Sequence, residues 1–450
     1  MVNIRDFDFR SWAIMSLLVL WASATSSIAL MEISFVAALV FWIGWHVQQI
    51  RNPMPHLSSS NVFVGDPECK RPPGFPPQAC GNDSMGGASH RFDWVLWLPL
   101  VIFFVAVLIS FFTSEYSKQS FRGIFKIAKP LLAFLMVADL FRDERAVRKY
   151  NLAFLITFLV VAIDSSIQYA FGRDLLRLIP PEVSSAGLRI VGPFGNFAKM
   201  AAFLVLVIPI FGLRFLDDFM IAGDRKRSFY NLSLAIAGFI LLYLTRCRGP
   251  VVALGFCFFL VFVYKRWFKT LGIMLLLCLI LLAASPRNVL IHQDAQGKEQ
   301  SIVERFELWK RALDVIEAKP WTGTGINTYN VAHQKYDKQQ NWRVRGYYAH
   351  NGYLQMTAEI GIPGILFFLI FLFMLFRRAL GSLSSVRGTA EEYARLGLMT
   401  GLLAFLIYAA ADNNLQSPPS LMFFWYSAGI LLARQHTVPG QTAMPLYPPA

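Results

Sequence analysis

Tyr348–Ala349–His350–Asn351–Gly352–Tyr353 sets an imidazole at the mouth of a long apolar stretch, just after the one long polar segment of the second half. Imidazole exchanges a proton near neutral pH, and an ionisable group at a membrane boundary is costly enough to suggest a task. A solitary His could simply hydrogen-bond at an interface, but this one has charged company. Arg189 lies in Gly187–Leu188–Arg189–Ile190–Val191–Gly192–Pro193–Phe194–Gly195–Asn196. Arg246 and Arg248 lie in the tight turn Thr245–Arg246–Cys247–Arg248–Gly249–Pro250. A guanidinium stays charged and offers a planar fork of donors to phosphate oxygens. Arginines held at a lipid boundary therefore suit the diphosphate of a lipid-linked molecule, although one arginine alone could snorkel to lipid phosphate. Two such arginine-and-glycine segments beside a His read as a base plus leaving-group stabilisers.

The polar neighbours Asn196, Asn351, Tyr348 and Glu359 complete the candidate set, as substrate contacts. Glu359 also has an ordinary alternative, as a span-end carboxylate bonded to backbone or to an arginine. No Asp-x-Asp pair or His/Asp/Glu cluster has metal-ligand spacing, so neither metal nor cofactor is expected. Other acids on the same side, Asp174, Glu182, Asp337 and Asp412, are scattered, and Asp164 inside a span could pair with an arginine. No Ser nucleophile elbow or Cys–His pair is visible.

The elements that must position these groups are membrane helices. Hydrophobic residues make up 55% of the 450 positions and charged residues only 16%, whereas a soluble domain is nearer one quarter charged. The apolar residues fall in continuous blocks of roughly 15–21, enough to cross a bilayer core of about 30 Å. Continuous blocks exclude a strand barrel, whose segments alternate. The expectation is a single all-α polytopic membrane domain over 1–450, with about twelve spans. They run Trp12–Leu30, Ser34–Ile50, Asp93–Phe112, Ile127–Phe141, Asn151–Phe171 and Ala198–Leu216, then Tyr230–Leu244, Pro250–Tyr264, Leu271–Ala284, Gly361–Phe376, Leu396–Ala411 and Leu421–Ala433. No cleavable signal is apparent before the first of them.

The net charge of +14 does not indicate nucleic acid, because the basic residues punctuate span ends and form no stripe with interleaved aromatics. They report topology and contact with membrane lipid. Arg142/Arg145/Arg148/Lys149, Arg225/Lys226/Arg227, Lys265/Arg266/Lys269 and Arg377/Arg378/Arg387/Arg395 share one side in a twelve-span arrangement. That side is cytoplasmic by the positive-inside rule, with both termini. The opposite side carries Arg189, the Thr245–Gly249 turn and His350. Lys118, Arg122 and Lys126 run mildly against the rule. The same arrangement makes 52–91 an irregular cytoplasmic loop, with Cys69 and Cys80 reduced.

Residues 285–350 form the long loop on the outer side and end at His350. Within it, 302–318 reads as an amphipathic helix, with Phe306, Trp309, Leu313 and Ile316 at helical spacing. It would lie over the membrane mouth or on other spans. The following Pro320–Trp321–Thr322–Gly323–Thr324–Gly325–Ile326–Asn327 is a Gly-rich turn without the preceding strand that a nucleotide loop needs.

At these residues the sequence resembles the O-antigen ligase/polymerase superfamily, and more closely the lipopolysaccharide O-antigen ligases. The resemblance is carried by Arg189–Asn196, by Thr245–Gly249, by Glu304-Arg305-Phe306, Trp309, Pro320 and Gly323–Asn327, and by His350-Asn351 with Glu359–Gly364. It covers about Gly187 to Tyr426. It implies a GT-C-type glycosyltransferase of the bacterial inner membrane, active on the periplasmic face. The donor would be undecaprenyl-diphosphate-linked O-antigen, and the acceptor a sugar hydroxyl of the lipid A core. The family's functional His corresponds to His350 and its two arginines to Arg189 and Arg248. Cys247 stands where the family commonly has Ser, and Arg246 is an additional guanidinium. An O-antigen polymerase, extending the glycan on its lipid carrier, is the alternative enzyme. A lipid-linked glycan transporter is the alternative from another class, disfavoured because no repeat symmetry between halves is visible.

Overall fold

A computed structural model describes residues 8–51, 94–184, 187–273, 300–336 and 348–435. The 52–91 loop with Cys69 and Cys80, and most of the expected span Leu271–Ala284, lie outside the described residues. So do Asp337 and parts of the 285–350 loop.

In chain order the helices are α1 (Phe9–Ser23), α2 (Ile28–Arg51), α3 (Trp94–Phe112), α4 (Ser117–Leu140), α5 (Glu144–Phe171), α6 (Phe197–Asp217), α7 (Arg225–Leu244) and α8 (Arg248–Tyr264). After the next described residues come α9 (Gln300–Ala318), α10 (Tyr329–Tyr336), α11 (Gly352–Leu383), α12 (Ala390–Ala409) and α13 (Pro418–Arg434). The sheet content among the described residues is one antiparallel pair, β1 (Glu182–Ser184) with β2 (Gly187–Arg189), in which Glu182 faces Arg189. The chain is thus all-α in substance. Among the described residues six helices are long and apolar enough to cross a membrane: α2, α3, α5, α6 continued to Ala222, α7, and α11 continued to Val386. The apolar α1 and α8 are shorter.

The sequence expectation needs correction at several boundaries, three of which follow. The first span does not run to Leu30, because α1 stops at Ser23. Hydroxyls there compete with the helix for backbone acceptors, Ser23 donating to Leu20 O at 3.1 Å and Thr25 to Ala22 O at 2.8 Å. The helix containing Ile127–Phe141 begins earlier, at Ser117. The helix containing Gly361–Phe376 begins at Gly352 and is broken at Gly361, where φ is 75° and ψ 172°.

The core is organised around α6, packed between α7 and α12. Bilayer lipid is as apolar as the side chains, so helices associate through close packing at small residues. Gly397 and Gly401 supply this on α12: a Cβ at Gly401 would lie 2.6 Å from Leu206 O on α6. Gly429 plays the same part between α13 and α4, where a Cβ would lie 2.9 Å from Phe134 O. Aromatic rings fill the space between α1, α5, α6 and α13. Trp21 meets Phe423 edge-on at 4.8 Å, and Tyr150 stacks on Tyr426 at 5.8 Å.

The bundle has two chemically distinct ends. At one, Lys265 pairs with Glu392 at 2.8 Å and Glu391 accepts from both Arg395 and Arg434. At the other, Ser114 donates to Thr324 O at 2.8 Å, Gly352 N–H to Asp412 O at 3.0 Å and Ile190 N–H to Leu244 O at 3.2 Å. The second end carries Arg189, the Thr245–Gly249 turn and His350.

Helix α9 spans the 302–318 segment, and the face it buries overlaps the expected apolar stripe only in part, at Ile316. Leu308, Arg311, Ala312 and Val315 are buried, and Ala312 and Val315 join a small cluster with Tyr329, Ala349 and Ala358. The expected packing residues Phe306 and Leu313 are 61% and 54% exposed.

Candidate active site

The platform beneath His350 is a clasp between the Gly-rich turn and the break in α11. With φ positive at Gly361 the helix loses its local pairing, and the turn takes over the released groups. Thr324 N–H donates to Ala358 O at 3.0 Å, Gly325 N–H to Glu359 O at 3.0 Å, and Ile362 N–H to Pro320 O at 2.8 Å. Backbones approach so closely that a Cβ at Gly361 would lie 2.3 Å from Trp321 O, and one at Gly323 2.3 Å from Glu359 O. Glu359, 1% exposed, accepts from Asn327 N at 2.8 Å, Tyr329 N at 3.3 Å and Gln355 Nε2 at 3.2 Å. Lys126 reaches the same knot through Asn327 Oδ1 at 3.0 Å. The glycines and Glu359 therefore lock the loop to the helix. Glu359, expected among the substrate contacts, is 1% exposed and bonded within this clasp.

The arginine segments meet at the end of α7. Gln168 on α5 organises the first: its Oε1 accepts from Val191 N at 2.8 Å and Gly192 N at 2.9 Å. Ile190, just past β2, joins Leu244 O, which sets Arg189 beside the Thr245–Gly249 turn. The Arg189 guanidinium lies 4.8 Å over the Phe197 ring, and the Arg246 guanidinium 4.7 Å over Tyr243. Both contacts restrain the side chains by cation–π attraction. The Nε groups of Arg189 and Arg246 are buried and have no hydrogen-bond acceptor among the described residues. Buried donors ordinarily find partners, so these are positions where an anionic ligand would be welcome. Arg248 is exposed on the first turn of α8.

His350 and this turn are joined through Asp412. The His350 Nδ1 lies 3.9 Å from Asp412 Oδ1, within ion-pair reach but longer than a hydrogen bond. The second Asp412 oxygen accepts from the Tyr408 hydroxyl. Cys247 in turn bonds to Tyr408 and feels the charges of both Asp412 and Arg189. Gly249 keeps the turn close, since a Cβ there would already touch the Tyr408 ring at 3.3 Å. The imidazole, the carboxylate, the phenol, the thiol and the first arginine thus form one connected group. Burial pushes the His350 pKa below its ordinary 6.5, Asp412 pulls it partly back, and Arg305 pushes it down again. The ring is therefore neutral at pH 7 and able to accept a proton. Burial pushes the Cys247 thiol up to about 11, so it is not a thiolate nucleophile at neutral pH.

Of the other expected contacts, Asn196 and Asn351 have capping roles. The Asn196 oxygen accepts from Ala198 N and Lys199 N to start α6, and that of Asn351 from Tyr353 N and Leu354 N to start α11. Such caps are worth about 1 kcal/mol each. Tyr348 is 45% exposed beside His350. Asp164 accepts from Leu175 N and Leu176 N at 2.9 Å each, bonds to backbone rather than to arginine. In the sequence Asp412 is one of several scattered acids, and neither Tyr408 nor Gln168 stands out. The available signal was the position of Asp412 at the outer end of an apolar stretch, where a charge is costly. Among the described residues no three His, Cys, Asp or Glu side chains gather as metal ligands do.

No curated protein matches the chain. A family model described as O-antigen ligase matches residues 233–369, a stretch that holds the Thr245–Gly249 turn, the Gly-rich clasp, His350 and the break in α11; Arg189 lies before it. Through that segment the chain is similar to the O-antigen ligases.

Proposed function

We propose that the protein is an O-antigen ligase, transferring glycan from undecaprenyl diphosphate to a sugar hydroxyl of the lipid A core on the periplasmic face of the inner membrane. The observation that carries this reading is the single connected group at one end of the bundle: a neutral imidazole held against Asp412, beside guanidinium donors buried without acceptors. Nδ1 faces the carboxylate, which leaves Nε2 for the acceptor hydroxyl. As that oxygen forms its bond to the donor's anomeric carbon, Nε2 takes the proton. The bond to the diphosphate breaks, and undecaprenyl diphosphate leaves with the electron pair. General-base assistance of this kind contributes about 10²–10⁴-fold. Arg189 and Arg248 meet the charge that builds on the departing diphosphate, with Arg246 binding the same group. One displacement inverts the anomeric centre. No step requires a metal, so transfer is expected to persist in chelator.

The test is reconstitution with purified lipid-linked glycan and lipid A core. The wild type should join them, while folded His350→Ala and Arg248→Ala proteins should make no joined product. Normal transfer by His350→Ala would sink the assignment. Product that stays on undecaprenyl diphosphate and grows longer would identify a polymerase instead.

A further inference from the structure

A cavity of about 400 Å³ opens next to the arginine segment, and the mechanism above makes no use of it. Its walls are the Ala24–Ile28 turn between α1 and α2, the Phe194–Gly195 stretch, and the side chains of Arg177 and Lys199. The volume is that of a small-ligand pocket. Gly195 makes the geometry possible: its φ is 61°, and a Cβ would lie 2.9 Å from an Arg177 terminal nitrogen. Arg177 Nη1 is anchored by Pro193 O at 3.2 Å. Arg177 and Lys199 are close enough to repel each other, and among the described residues no carboxylate pairs with either. Two cations lining a half-enclosed space without a counter-charge are stabilised by a bound anion, and phosphoryl oxygens suit both the fork and the ammonium. Ser26 and Thr25 add hydroxyls to the same wall. Gly195 is six residues from Arg189, so their Cα atoms are no more than about 20 Å apart.

We propose that this cavity is a second anion subsite, in which Arg177 and Lys199 hold a phosphoryl group of a lipid-borne substrate while Arg189 and Arg248 hold the donor diphosphate. The proposal rests on the ligase reading for the identity of the substrate, but not for the binding of the anion. A phosphoryl group on the acceptor saccharide and one on the donor share this chemistry, and the experiment separates them.

Full-length protein in nanodiscs is titrated with inorganic pyrophosphate, and KM and kcat are measured for donor and acceptor. In Arg177→Gln/Lys199→Gln the pyrophosphate stoichiometry should fall by one site. The KM of one substrate should rise roughly tenfold or more, with kcat nearly unchanged, and Lys199→Arg alone should behave as wild type. A raised acceptor KM, reproduced in the wild type by acceptor stripped of phosphate, assigns the group to the acceptor; a raised donor KM assigns it to the donor. Unchanged pyrophosphate binding overturns the subsite. Lost pyrophosphate binding with both KM values unchanged overturns its role with substrate. Should the double variant lose its thermal transition, Ser26→Glu, which adds a carboxylate to the cavity, carries the same measurements. Pyrophosphate binding that depends on Arg177 and Lys199 in a protein joining no glycan refutes the ligase reading and leaves the subsite standing.

Discussion

The charge beside His350 decides how the imidazole is poised. Burial lowers its pKa and Asp412 raises it, and only the neutral ring can act as base. The activity of the wild type should therefore rise with pH along a limb lying below 6.5 and be level by neutrality. In Asp412→Asn the raising influence is gone, so the limb should move to lower pH. The plateau should fall at least roughly tenfold, because Nδ1 loses the partner that orients the ring. A pH–rate profile of kcat/KM for the two proteins checks both signs, and a limb that moves up in the variant would refute the role given to Asp412. The chemical types at this site were legible in the sequence: His350 and three arginines announce themselves as charges at the ends of apolar blocks. Their partner was not, because Asp412 reaches His350 across the fold from the far end of α12. Nothing in local spacing encodes that approach. The capping bonds of Asn196 and Asn351 were hidden for a related reason, since a helix cap and a substrate contact use the same residue types at the same kind of boundary.

Among the elements, the clasp at Gly361 has the clearest sequence signature and the clearest physical cause. Gly323 and Gly361 are where the two backbones touch, and Gly325 lies against the Ser114 side chain, so none of the three leaves room for a Cβ. Gly361→Ala should cost about 2–4 kcal/mol, from the positive φ together with the clash against Trp321 O. Gly255, on α8, has open space around its Cβ position, so Gly255→Ala is the matched control and should be neutral or slightly stabilising. Thermal unfolding in detergent separates the two, and a Gly361→Ala protein as stable as the control would overturn the account of the clasp. Glycan transfer should fall with stability, because the clasp lies in the helix that starts beside His350. Helix α9 shows where such reading fails. Its apolar stripe was visible, yet the stripe buried against α11 includes Arg311 and Ala312 while Phe306 and Leu313 look outward. In a membrane protein lipid competes for apolar surface, so hydrophobicity stops marking the protein-facing side.

For the molecule as a whole, the helices were legible by length and hydropathy and their sidedness only by charge. Of the residues that the positive-inside rule assigns to one side, Lys265 and Arg395 lie together at one end of the bundle, in the Lys265–Glu392 and Glu391–Arg395–Arg434 pairs. The chemical groups fall at the other. Geometry alone leaves the bundle free to sit either way up, whereas the basic loops on Arg225–Arg227 and Lys265–Lys269 favour the cytoplasm for the first end. Trp321 and Lys226 test this directly, since the first is 73% exposed at the site end and the second is exposed at the opposite end. In a background with the five native cysteines replaced, Trp321→Cys should react with a membrane-impermeant maleimide once the outer membrane alone is permeabilised. Lys226→Cys should react only after the inner membrane is opened. The reverse pattern would put His350 and the arginines in the cytoplasm. It would separate them from any glycan presented in the periplasm, and the transfer chemistry would have to be abandoned even if every contact in the site were correct.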